Sequence, residues 1–349
     1  MIGLTPDIVV IGPEEPQFAG VADKAVELGI PTFGVPRSLA IIEQSKAFAR
    51  ALMWKYRIPG RIAFRAFRDI DEALRYVSNA GSVAIKPARQ SGGKGVRVFW
   101  DRQAYLRDGV NKAKTTQVIT ASSDVKAYGD IDDLIVVEEA VTGGVEYTVQ
   151  VISDGRSIIA LPPIQDHPHV FDYDIGPECG GMGAIVGPGP SLPFITQEEY
   201  EESVEIVRKT LDALQREVGG LRYVGVLSGQ FMLTTYGPTL IEYYSRFGDP
   251  EVLNALAMLD GDLLEIIEAA VEGRLSSIRY SFREGIVAVS KAVAPPLGYP
   301  HNRDLARGRS ITMDMGEIGR LGCEVYFGSV TEEGGTYRTW VLGPSRSLP

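Results

Sequence analysis

One short run constrains this chain more than any other: Ala84-Ile85-Lys86-Pro87-Ala88-Arg89-Gln90-Ser91-Gly92-Gly93-Lys94-Gly95-Val96-Arg97-Val98. A β-prone segment delivers a lysine. A Ser-Gly-Gly turn follows, and a second lysine leads into another β-prone segment. Two cationic side chains can neutralise phosphate charge while the turn backbone closes over it. The P-loop pattern is different, because it needs GxxxxGK[ST] between a strand and a helix. Read alone, the glycines serve a plain hairpin turn equally well. Arginine greatly outnumbers lysine in the chain, so Lys86 and Lys94 in one loop stand out.

At 349 residues the chain exceeds what one hydrophobic core usually supports, so two or three domains are expected. The formal charge, 35 minus 45 or -10, disfavours non-specific attraction to nucleic acid. No basic patch interleaved with aromatics argues for a nucleic-acid module. Cys179 and Cys323 form no zinc-ligand cluster, and His167, His169 and His301 make no zinc case either. This cysteine usage fits a reduced, cytoplasmic setting. No signal-peptide pattern and no 18-residue uncharged apolar stretch is apparent.

Residues 7–14 read as a buried parallel strand ending in a turn. A helix over 18–28 and a short strand over 30–33 complete half of an open α/β domain. A helix over 45–56 has Ser45 as its cap, Phe48 and Met53 toward a core, and Pro59 beyond its end. A helix over 71–80, paired strands around Lys86 and Lys94, a helical patch near 112–118 and a strand over 134–138 fit a small α+β lobe. Residues 146–159 read as an antiparallel hairpin around Asp154-Gly155. Residues 162–193, rich in glycine and proline, read as a long binding loop. Thr196 and Glu199 form a capping box for a helix running to about Glu217. Paired strands over 224–233 and 239–243 precede helices over 252–259 and 263–271, and 285–349 holds shorter β-prone segments.

A series of landmarks occurs along this frame. They are Val10-Ile11-Gly12-Pro13-Glu14, Ser45-Lys46-Ala47-Phe48-Ala49, the Lys86-to-Gly95 loop, Gln165-Asp166-His167, Gly180-Gly181-Met182-Gly183 and Arg246-Phe247-Gly248-Asp249-Pro250-Glu251. In this order and spacing the chain resembles the phosphoribosylamine–glycine ligase (glycinamide ribonucleotide synthetase) family of the ATP-grasp superfamily, most closely its archaeal members. The resemblance runs from Asp7 to roughly Ser345. It implies a multidomain α/β and α+β protein with an ATP-grasp fold. The divisions would be a partial N-terminal α/β domain with a linker helix (1–60), a small ATP-grasp lobe (61–140), a large lobe (141–282) and a shortened β-rich C-terminal domain (283–349). It also implies ATP-dependent joining of glycine to 5-phosphoribosylamine through glycyl phosphate, a step of de novo purine biosynthesis. Magnesium, or manganese in its place, would assist. A monomer or homodimer would act without nucleic acid or membrane.

The same resemblance assigns residues. Lys86 would hold a phosphate oxygen and Lys94 would close the loop. Glu138, Glu139 and Val141 match the adenine-side connector, and Glu146 the ribose acceptor. Glu242 matches a magnesium ligand, where the plainer role is a salt bridge to Arg246. Arg246 would stabilise the acyl phosphate or a substrate anion. Pro13, Glu14, Ser45 and Lys46 match a substrate wall, and Asp166, His167, Asp172 and Asp174 a polar site near both substrates. Asp174 would orient the attacking amine. Gly180, Gly181 and Gly183 would let the chain approach bound substrate closely. Lys86, Lys94, Asp174 and Arg246 form the catalytic set.

Departures from the pattern are specific. The family run Glu-Phe-Asn-Cys-Arg becomes Glu242-Tyr243-Tyr244-Ser245-Arg246, so Tyr244 replaces an asparagine that supplies an amide oxygen to magnesium. A water, or Gln230 on the adjacent strand, is expected to take over that oxygen's place, or metal binding to weaken. Tyr173 stands where a lysine separates two acids. No Asn-Gly-Gly-Arg-Glu-His-like loop precedes Met1, and the chain stops soon after Leu348, so shortened ends and a need for a missing segment or partner are expected. Two other readings stay open: a catalytically impaired ATP-grasp binding or regulatory protein, and a ligase for a different amine.

Overall fold

The computed structural model describes residues 6–89, 96–99, 134–141, 143–173, 175–189, 191–292, 305 and 307–339. Lys94, Asp174 and the patch at 112–118 lie outside the described residues. Two compact units emerge, one of residues 1–167 and 183–291, the other of 168–182 and 292–349.

The first unit is built on an antiparallel sheet in the order Gly237–Tyr244, Val224–Thr234, Val145–Asp154, Ile158–Ala160. Both hairpins expected from the alternation form. Asp154 closes the tighter turn: its Oδ1 accepts from the N–H of Arg156 at 2.8 Å and of Ser157 at 2.7 Å. Side chains of a strand alternate between faces. Tyr147, Val149 and Val151 therefore point into one core, with Leu227, Phe231, Leu240 and Tyr243. The helix Gln197–Glu217 covers that face with Ile206, Val207, Leu211 and Leu214, and the Thr196/Glu199 capping box starts it. Thr148 and Gln150 point the other way, buried yet polar. Farther along the sheet, Ile152 and Val226 enter a second core under the helix Leu263–Glu272, which Asp262 caps.

A second four-stranded sheet has the order Phe64–Phe67, Ile135–Glu139, Val83–Pro87, Arg97–Phe99. The helix Ile70–Val77, capped by Asp69, buries Ile70, Ala73, Leu74 and Val77 against Val83, Ile85, Ile135 and Val137.

Several expectations change. The strand expected over 7–14 shrinks to Val9–Val10, paired in parallel with Thr32–Phe33, and Val10 is 50% exposed. The chain turns helical at Glu14, directly after Pro13, whose fixed φ suits a helix entry. The helix expected over 18–28 splits into Glu14–Phe18 and Val21–Glu27 because Gly20 takes φ +80 between them. An unexpected helix, Arg37–Gln44, precedes Lys46–Lys55, and Ser45 ends the first and caps the second, its Oγ accepting from Phe48 N–H at 3.2 Å. The long loop expected over 162–193 holds short strands instead. Gln165–Asp166 and Ala288–Lys291 flank Gly183–Val186 in the first unit, and His169–Phe171 pairs with Ile175–Glu178 in the second. The second unit also holds an antiparallel sheet in the order Ser310–Ile311, Thr336–Thr339, Val330–Glu333. Among the described residues no helix is long and apolar enough to cross a membrane.

Candidate functional site

The site begins at a fault in the central sheet. Gln230 pairs with Glu242 but Phe231 pairs with Leu240, so Ile241 is an extra, unpaired residue. Such a bulge re-aims the side chains that follow it. Leu240 and Tyr243 both enter the core, while Glu242 and Tyr244 emerge on the opposite face. The carbonyls at the fault need donors from elsewhere. Arg50 supplies them, donating from Nη1 to Leu240 O at 3.0 Å and from Nη2 to Ile241 O at 2.7 Å.

Arg50 also ties the two sheets together, because its Nε donates to Glu138 Oε2 at 2.9 Å. The other Glu138 oxygen pairs with Lys86 Nζ. Register explains the pair: Lys86 lies opposite Val136, and Glu138 two residues on is its diagonal neighbour on the same face. Burial pushes the Glu138 carboxyl up, but Arg50 and Lys86 outweigh it and hold the group at about 2. Lys46 sits one turn before Arg50 on the same helix face. Its backbone N–H bonds Ala88 O at 2.7 Å, which fastens the helix start to the end of the lysine strand.

Lys46 Nζ meets Glu242 Oε1 at 2.7 Å. The Tyr244 hydroxyl lies 3.0 Å from Glu242 Oε2 and 2.9 Å from Gln230 Oε1. The hydroxyl carries one proton, so it donates to one of these oxygens and stands beside the other. Burial raises the Glu242 carboxyl, yet Lys46 and then Lys86 leave it below its ordinary value. Burial, reinforced by Glu242, keeps the Tyr244 phenol protonated.

Arg246 forms the next wall. Its Nε donates to Glu14 Oε2 at 2.7 Å, stands 3.7 Å from Glu43 Oε1, and its guanidinium carbon lies 5.0 Å from the Tyr244 ring centre. Glu242 therefore pairs with Lys46 and Arg246 with Glu14, in place of the simple Glu242–Arg246 bridge. Glu43 is buried and accepts both the N–H and the hydroxyl of Ser245 at 2.7 Å. Gln17 braces the same turn, donating to Ser245 O at 2.9 Å and accepting from Val35 N–H at 2.8 Å.

Burial raises the Glu43 carboxyl from 4.5 to about 7, with Arg246 opposing and Glu14 adding to the rise. Between those values the folded protein holds a proton that the unfolded chain has lost, so stability falls as pH rises. The drop amounts to about 3 kcal/mol for this group. Urea unfolding of wild type between about pH 5 and pH 8 should show it, and Glu43→Gln should lose about that much of the pH dependence. Identical pH profiles for the two proteins would contradict this account of Glu43.

The remaining expected residues fall as follows. Ser45 is buried as the helix cap, and Pro13 is exposed at a helix entry. Glu139 is exposed on the strand face opposite Glu138, while Val141 and Glu146 are half-buried. Asp166 is half-buried and takes a long bond, 3.4 Å, from the Thr148 hydroxyl; His167 is exposed. Gly183 is a packing glycine: a Cβ there would sit 2.7 Å from Ser290 O. Asp172, Gly180 and Gly181 belong to the second unit. Sequence reasoning passed over Arg50, Glu43, Gln17, Gln150 and Glu251. Arg50 carried a signal, its four-residue spacing from Lys46, and Glu251 closes the last landmark run.

A hard divalent cation takes oxygen ligands. Glu242, Gln230 and the Tyr244 hydroxyl converge as three oxygens around one carboxylate and fit such an ion. Among the described residues no group of three or more His, Cys, Asp or Glu forms a metal cage. Magnesium held by one carboxylate together with substrate phosphates needs none.

The model of the phosphoribosylglycinamide synthetase ATP-grasp (A) domain matches residues 44–252. The phosphoribosylamine–glycine ligase of Methanopyrus kandleri is 43% identical over 344 residues, covering 98% of this chain and 73% of that protein. The ligase of Methanothermobacter thermautotrophicus is 40% identical over 329 residues, covering 94% and 71%. The crystal structure of phosphoribosylamine–glycine ligase from Thermotoga maritima superposes with a TM-score of 0.74 at 24% identity, over 97% of this chain and 78% of that one, a likeness of fold.

Proposed function

The chain belongs to the phosphoribosylamine–glycine ligase family of the ATP-grasp superfamily, and from that premise we propose how its residues divide the work. The protein is an ATP-dependent carbon–nitrogen ligase. It joins glycine to 5-phosphoribosylamine, giving glycinamide ribonucleotide, ADP and phosphate. The observation that carries the assignment of roles is the pair of ion pairs Lys86–Glu138 and Lys46–Glu242, with Arg50 joining Glu138 to the carbonyls of Leu240 and Ile241 just before Glu242.

The γ-phosphoryl group passes to a glycine carboxylate oxygen, and ADP departs. The amine nitrogen then attacks the carbonyl carbon. A C–N bond forms, the C–O bond to phosphate breaks, and the amine gives up a proton. Lys86 and Lys46 stand beside the phosphates, each held in position by its carboxylate partner. Glu242 and Gln230, steadied by Tyr244, would hold magnesium, and manganese suits the same oxygens. What a bound magnesium supplies is neutralisation of charge on the phosphoryl oxygens. Arg246, gripped by Glu14, faces the acyl phosphate oxyanion. Backbone groups of 138–141 read the adenine edge and Glu146 the ribose. Asp166 and His167 are assigned to the amine side, and the family resemblance gives Asp172 and Asp174 a substrate role and Lys94 a role in loop closure. In this reading residues 61–140 and 141–282 are the two gripping lobes, in a cytoplasmic monomer or homodimer.

The test follows ADP and glycinamide ribonucleotide together, with magnesium-ATP, glycine and freshly generated phosphoribosylamine. Equal appearance of both is expected. ADP without the ligated product would point to another amine, and neither product would overturn the assignment.

A further inference from the structure

Beyond Arg246, on the same polar face, buried groups are left incomplete. Gln150 is wholly buried. Its Oε1 accepts from Gly248 N–H at 2.9 Å, with Ser228 Oγ 3.4 Å away, while its Nε2 has no partner among the described residues. Glu251 is 7% exposed, and its Oε2 likewise has none. Its carboxyl lies directly over Gly248, where a Cβ would sit 2.6 Å from Glu251 Cδ. The Gln150 amide and the Glu251 carboxyl thus meet around one side-chain-free residue. Asp166 is close enough to act electrostatically on Glu251. Ser228 Oγ donates to Arg246 O at 2.7 Å, which anchors the arginine to the same patch.

A buried donor and a buried acceptor left open are costly, so each such group calls for an explanation. The carboxyls of Glu14 and Glu43 act on Arg246, and those of Asp166 and Glu251 act on each other beside it. The missing complement is a compact cation with several N–H donors, joined to an acceptor for Gln150 Nε2. An α-amino acid zwitterion carries both on adjacent atoms. We propose that Glu251 and Asp166 hold the ammonium group of glycine, and that Gln150 Nε2 donates to its carboxylate, turning that carboxylate toward Arg246. The inference rests on the ligase reading of this site. It adds two residues, Gln150 and Glu251, that select an amino acid over a plain carboxylic acid.

Calorimetric titration of the full chain with glycine and with acetate, which lacks the ammonium, tests it. Glu251→Gln should weaken glycine binding about 30-fold, with acetate and a non-hydrolysable ATP analogue bound as in wild type. Gln150→Met should weaken glycine and acetate alike and leave the ATP analogue unaffected. Glycine affinity within about threefold of wild type in both variants would overturn the proposal, as would wild type that binds acetate as tightly as glycine. Failure of the ligase reading looks different: wild type would bind glycine and release no ADP, and the Glu251→Gln loss would still stand.

Discussion

Glu242→Gln is expected to lower the rate of ligation by about 10²–10³-fold, the scale seen when one preorganised electrostatic group is removed. The substitution keeps the shape and leaves a carbonyl oxygen for the Tyr244 hydroxyl, which stands 3.0 Å away. It removes the charge that Lys46 meets at 2.7 Å and that magnesium would need. Lys46 is then free to pair with phosphate, so binding of an ATP analogue without metal should survive or tighten while turnover falls. Steady-state ADP release and calorimetric nucleotide binding separate the two effects. A rate within about threefold of wild type would remove Glu242 from the machinery.

Arg50→Ala is expected to destabilise the first unit by about 3–5 kcal/mol, the usual cost of breaking one partner out of a buried ion pair. Three bonds disappear together: one to Glu138 and two to the carbonyls of Leu240 and Ile241. Urea unfolding should show a lower midpoint with an unchanged slope. Acid sharpens the test. The Glu138 carboxyl is held at about 2 against an ordinary 4.5, so its contribution is complete above 4.5 and is lost as pH falls toward 2. Wild type should therefore lose stability over that range more steeply than the variant. Equal slopes would mean that Arg50 does not hold Glu138 ionised.

Much of this is legible in the sequence. Local signals sufficed where the interaction is local: Ser45 and Thr196 cap the helices that follow them, and alternation marks the strands around Asp154 and Gly237. The short strands within 162–193 escaped because glycine and proline punctuate strands of two to four residues as readily as they fill loops. In the site, the motif residues Lys86, Glu242 and Arg246 stood out by their landmarks. Their supports did not. Glu43 meets Ser245 across 202 residues and Gln150 meets Gly248 across 98, distances over which no spacing rule operates. The bulge was equally hidden, since counting by twos from Leu240 sends Glu242 into the core.

That one extra residue has a consequence for the order of assembly. The strand Gly237–Tyr244 cannot satisfy its own offset, because the carbonyls it frees are answered by Arg50, 190 residues earlier. The regular pairing would place Tyr243 outward and Glu242 inward, so the core favours the offset and Arg50 secures it. Long-range contacts form late because loop closure must come first. The catalytic face therefore depends on a contact of long sequence separation: an arginine 190 residues from Leu240 secures the phase of the strand.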